Sequence, residues 1–91
     1  MYILKCQQKK IRELRDEIDS LDDKIVELLE KRSLISKNIG EIKQSAGKEV
    51  LDSQREKEII DRLALKTKIL NKVSLHLIFK NIFKISRKIQ S

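Results

Sequence analysis

Apolar side chains at Ile11, Leu14, Ile18, Leu21, Ile25 and Leu28, then at Ile35, Ile39 and Ile42, alternate three and four residues apart. That spacing is a heptad seam, and it predicts one helix from about residue 4 to about residue 44. The chain has no proline, and the one glycine inside this stretch, Gly40, costs a helix only about 1 kcal/mol. Forty-odd residues at ~1.5 Å each make a rod of about 60 Å. A compact domain of 91 residues has a radius of gyration of only ~12 Å, so the rod is expected to overhang any core its own chain builds. A second copy is expected to cover the overhang.

The rest of the chain predicts two shorter helices. Gln44 to Leu51, with Ser45 and Gly47, reads as a loop. Asp52 or Ser53 can cap the next helix, whose apolar positions Ile59, Ile60, Leu63 and Leu65 carry it to about Lys66. A third helix is expected from Asn71 or Ser74 nearly to the terminus, with Leu75, Ile78, Phe79, Ile82, Phe83, Ile85 and Ile89 as its buried stripe. With two glycines and no proline, turn-makers are too few for a many-stranded sheet protein. The expected fold class is all-α, a single domain over residues 1–91 with a very long first helix.

One cysteine and one histidine exclude a disulfide framework and a four-ligand zinc site, and the lone thiol Cys6 suits a reducing cytoplasm. No apolar run approaches the ~18 residues of a membrane span, and Lys5 cuts the apolar opening Met1 to Leu4 before a signal-peptide core forms. The reading is a soluble, untargeted, cytoplasmic protein. Net charge is +7, and residues 67–91 hold six basic side chains and no acidic one. Lys72, Lys80, Lys84 and Lys88 recur there at helical spacing, a solvated ridge or a weak anion-binding surface.

Polar residues intrude where the patterns call for apolar ones. Arg32 occupies the seam step between Leu28 and Ile35, where a guanidinium needs a partner or a polar cavity. Taken alone it is a register-setting or ion-paired coiled-coil residue. Lys43 lies eleven positions on, about three turns along roughly the same face. Arg15 lies about 26 Å before Arg32, too far to share a small ligand with Lys43 within one straight helix. Two copies paired antiparallel about an axis near Lys24 to Val26 bring Arg15 of one chain beside residue ~35 of the other, between Arg32 and Lys43.

In the second helix, Arg55 and Glu56 precede Ile59, Ile60 and Leu63 on the core-facing rows. Ser53-x-x-Glu56 equally fits a capping box, in which the carboxylate only satisfies a backbone amide. In the third helix, Ser86 and Gln90 continue the row of Phe79 and Phe83. Gln90, as the penultimate residue, reads by itself as solvent-facing and prone to fray. No nucleophile and base arrangement accompanies this largely cationic set, which looks like a receptor for a small dianion bearing a hydroxyl.

The series Leu14-Arg15-x-x-Ile18-Asp19-x-Leu21-Asp22, then Arg32, Lys43, Asp52-x-x-Arg55-Glu56, and finally Phe79, Ser86 and Gln90 resembles the all-helical chorismate mutase family over nearly the whole chain. The resemblance implies an intertwined homodimer of three-helix chains that rearranges chorismate to prephenate, in phenylalanine and tyrosine biosynthesis. It implies that Arg15 from the neighbouring chain and Arg32 bind the substrate carboxylates, with Ser86 assisting. Lys43 is then expected to touch a carboxylate and the ether oxygen, and Gln90 to donate to that oxygen. Asp52 and Glu56 hold the ring hydroxyl, and Arg55 shapes and charges the pocket. Such a rearrangement is intramolecular and needs no metal or cofactor. Two alternatives stand beside it. A lyase releasing pyruvate from isochorismate shares the scaffold, but such relatives tend to lack the acidic pair present here as Asp52 and Glu56. A basic helical dimer binding nucleic acid fits the charge, but the chain has no recognisable reading module and few aromatics for base stacking.

Overall fold

The computed structural model describes residues 4–91. Met1 to Ile3, most of the apolar opening, lie outside the described residues. Three helices follow in order, α1 (Lys5–Ser45), α2 (Ser53–Ala64) and α3 (Lys72–Gln90), with no strand among the described residues. The fold class expected from the heptad seam and the scarcity of turn-makers is the one observed. No helix among the described residues is long and apolar enough to cross a membrane.

The chain divides into two compact units, and the boundary between Arg32 and Ser33 falls inside α1. The first unit is the part of α1 up to Arg32. It has no glycine or proline and is rich in Leu, Lys, Arg, Glu and Gln, residues that favour the helix. Its seam is nonetheless open to solvent in the single chain: Leu14, Ile18, Leu21, Ile25 and Leu28 are 46 to 63% exposed.

The second unit, Ser33–Ser91, holds the last turns of α1 and the α2–α3 hairpin. Ile59, Ile60 and Phe83 form its core, with Leu63 and Phe79 packed against them. The rings of Phe79 and Phe83 meet at 5.7 Å between centroids and tilted by 56°, a favourable edge-biased contact. Caps set the helix starts. The Asp52 carboxylate accepts from the Arg55 amide at 3.0 Å, and the Asn71 side chain accepts from the Ser74 amide at 2.7 Å. Leu65 corrects the expected core, since α2 ends at Ala64 and Leu65 lies in the turn beyond it, 89% exposed. The Thr67 hydroxyl donates to the Ala64 carbonyl at 3.1 Å, which satisfies the helix end there and stops the apolar row one residue short. Ile78 and Ile85 are likewise 47% and 57% exposed in the single chain, so only part of the expected α3 stripe is covered.

Candidate functional site

Small residues on α1 let the C-terminal turn of α3 come close. Ser36 and Gly40, one turn apart, are both buried. The Ser36 and Ser86 hydroxyls lie 2.7 Å apart, a buried hydrogen bond joining the two helices. One turn further on, the backbone of Gln90 sits directly over Gly40: a Cβ there would lie 2.6 Å from both Cα and O of Gln90. Gly40 is therefore a close-approach residue, beyond the simple helix cost that its sequence position suggests.

That contact also corrects the reading of Gln90. The residue is half-buried and helical. Its Nε2 donates to Ser86 Oγ at 3.4 Å, and its Oε1 is buried with no partner. A penultimate residue is held here because its backbone is seated on a glycine and its side chain reaches into a hydroxyl pair.

Lys43 is positioned by the end of α1. Gly47 takes a φ of +66°, the Gly47 amide donates to the Gln44 carbonyl at 3.2 Å, and the Lys48 amide donates to the Lys43 carbonyl at 2.8 Å. This is a Schellman ending, with glycine where the left-handed turn requires it. The loop then returns so that Lys43 Nζ donates to the Val50 carbonyl at 3.1 Å. An ammonium has three protons, so two remain for other acceptors.

At the start of α2 the two candidate side chains part company. Arg55 points outward, 61% exposed, with Glu58 at 3.9 Å. Glu56 turns inward, and its Oε2 accepts from Arg87 Nη1 of α3 at 2.5 Å. The capping-box alternative is thereby set aside: Asp52 is the N-cap and the Glu56 carboxylate is engaged with α3. Glu56 and Arg87 line an open cavity of about 580 Å³ between α2 and α3, together with Ile60, Phe83, His76 and Lys80. Lys43, Ser86 and Gln90 do not line it.

Of the residues expected from sequence, the second unit thus brings Ser86 and Gln90 together and holds Lys43, Asp52 and Glu56 in defined local bonds. Arg15 and Arg32 belong to the first unit, where Arg15 is exposed and Arg32 half-buried. Sequence reasoning missed Ser36, Arg87 and the contact role of Gly40. Ser36-x-x-x-Gly40 was the available signal, since small residues one turn apart permit close helix approach. Arg87 had a fainter one, following Lys80 and Phe83 on a row that faces α2.

The family model for chorismate mutase type II matches residues 14–91. A chorismate mutase of Methanocaldococcus jannaschii is 40% identical over 55 residues, 60% of this chain. That alignment spans about half of the curated relative, 56% of its length. Among solved structures, a chorismate mutase from Helicobacter pylori in complex with prephenate is 38% identical, with a TM-score of 0.83 over 90% of each chain. A chorismate mutase from Thermus thermophilus is 28% identical, with a TM-score of 0.86 over 89% of this chain and 93% of that one.

Proposed function

The chain belongs to the chorismate mutase type II family, and from that membership we propose that it rearranges chorismate to prephenate as one catalytic domain over residues 1–91. The observation that carries this reading is the fit of 90% of the chain, at 38% identity, to a chorismate mutase that holds prephenate. Prephenate is the product of the proposed reaction.

The reaction makes a carbon–carbon bond as it breaks a carbon–oxygen bond within one molecule, so it needs geometry and charge in place of a nucleophile. Cations that clamp two carboxylates hold the enolpyruvyl arm over the ring and turn a rare conformer into the bound one. Arg32 and Arg15 of a second copy take that role, with Ser86 assisting and Arg55 adding charge at the rim. Lys43 serves a carboxylate and the ether oxygen with the protons that Val50 leaves unused. Gln90 serves the same oxygen. Its Nε2 carries two protons, one directed at Ser86 Oγ and the other left for the ether oxygen. Fixed donors of this kind meet the charge that develops as the bond breaks, and each is typically worth about 2.7 to 4 kcal/mol. Asp52, through its cap, and Glu56 hold the ring hydroxyl.

The working form is a homodimer whose long helices pair antiparallel. Its support is the open heptad seam of α1, with five aliphatic side chains about half-exposed in the single chain. The protein acts in the cytoplasm without nucleic-acid or membrane partners, and the +7 charge draws in an anionic substrate. Incubation of the purified protein with chorismate, with the products identified, tests the reading. Prephenate is expected. Pyruvate released from isochorismate in a parallel incubation with no prephenate formed from chorismate, or salt-sensitive nucleic-acid binding without turnover, overturns it.

A further inference from the structure

We propose that Arg87 is a positioning residue that sets the orientation of Glu56 and thereby the enzyme's preference for a substrate bearing a ring hydroxyl. This rests on the reading of Glu56 as the group that holds that hydroxyl. The ion pairs of α2 and α3 differ sharply in setting. Arg55–Glu58 and Lys72–Asp61 have side chains 52 to 65% exposed, whereas those of Arg87 and Glu56 are 33% and 25% exposed. Shielded, charge-assisted bonds hold geometry, while exposed pairs contribute little.

The bond ties the first turn of α2 to the last turns of α3 through a single carboxylate oxygen, Oε2, at 2.5 Å from Nη1. Oε1 of Glu56 has no partner among the described residues. A carboxylate so held presents one fixed acceptor. Without the guanidinium, Glu56 is free to rotate into the cavity between α2 and α3, which it lines, or back towards the amides of its own helix start. Arg87 thus fixes one oxygen of the carboxylate and, with it, the direction in which Oε1 is presented to a hydroxyl donor.

The ring hydroxyl sits on the carbon beside the one whose ether bond breaks, but it makes and loses no bond itself, so a contact that only holds it binds ground and transition states alike and appears in KM. The experiment compares chorismate with an analogue in which that hydroxyl is replaced by hydrogen, using the full-length protein. Arg87→Leu is expected to raise KM for chorismate by about tenfold with kcat within about twofold, and to leave kcat/KM for the deoxy analogue within about twofold. Glu56→Gln combined with Arg87→Leu is expected to be no worse than Glu56→Gln alone, since both act on one interaction. Arg87→Lys, which restores a donor, is expected to recover part of the preference; it also serves as the readout if Arg87→Leu does not fold. An equal loss on both substrates, or additive effects in the double variant, overturns the proposal. Absence of chorismate turnover by the unaltered protein instead overturns the underlying reading of function.

Discussion

Gly40→Ala puts the packing of α3 on α1 to a quantitative test. The added methyl would lie 2.6 Å from Cα and O of Gln90 and 3.0 Å from its carbonyl carbon, all backbone atoms that no rotamer change can move. Relief to an ordinary contact of about 3.4 Å requires the C-terminal turn of α3 to retreat by about 0.8 Å. Two energies oppose each other. Alanine favours the helix over glycine by about 0.8 to 1.0 kcal/mol, and overpacking costs about 1 to 3 kcal/mol, so the net destabilisation is about 0 to 2 kcal/mol. Catalysis is more sensitive, because a misplacement near 1 Å can cost about a hundredfold. The same turn carries Ser86 and Gln90. We expect kcat to fall between about tenfold and a hundredfold while the fold persists, measured by steady-state loss of chorismate alongside thermal unfolding. Comparison of Lys37→Gly with Lys37→Ala, at an exposed position of the same helix, measures the glycine-to-alanine difference in propensity alone. A Gly40→Ala protein that is stabilised and turns over at the unaltered rate refutes the close-approach argument.

Other substitutions separate charge from geometry. Arg32→Ala and Lys43→Ala are each expected to lower kcat/KM by about two or more orders of magnitude with helicity unchanged by circular dichroism, and near-normal turnover in either rejects its place in the pocket. Gln90 is neutral and donates at any ordinary pH, so this position imposes no alkaline loss on the unaltered enzyme. Gln90→Glu donates only when protonated, so its kcat is expected to fall as pH rises through a carboxyl pKa at or above the ordinary value of about 4.3; a flat profile contradicts the donor role.

Patterns that act locally were legible in the sequence. The heptad seam located α1, which ends at Ser45, because every side chain of the repeat reports the same helical face. Asp52 and Asn71 marked the helix starts, since capping is decided within three residues. The order of Arg15, Arg32, Lys43, Asp52, Glu56, Ser86 and Gln90 was enough to identify the family. What escaped was tertiary. The partner of Glu56 lies 31 positions away, and nothing near Ser53 distinguishes that pairing from a capping box. Gly40 looked like a tolerated defect because propensity counts only the helix that contains it, whereas its use is to admit another helix. Ser36 carries no signal of its own in the seam, because its use is a hydrogen bond with the hydroxyl of Ser86, 50 positions away. Leu65 failed because an apolar row says nothing of where Thr67 halts the helix.

Mixing two inactive variants tests most directly whether each catalytic centre is built from both subunits. Arg15→Ala and Lys43→Ala chains are prepared separately, exchanged at equal concentration, and assayed for prephenate formation once mixed dimers are verified by mass. With Arg15 supplied across the interface, each mixed dimer holds one intact centre and one doubly defective centre, and random exchange returns about a quarter of the unaltered activity. No recovery above the two parents, with mixed dimers present, would mean that Arg15 serves its own chain and would contradict the shared centre.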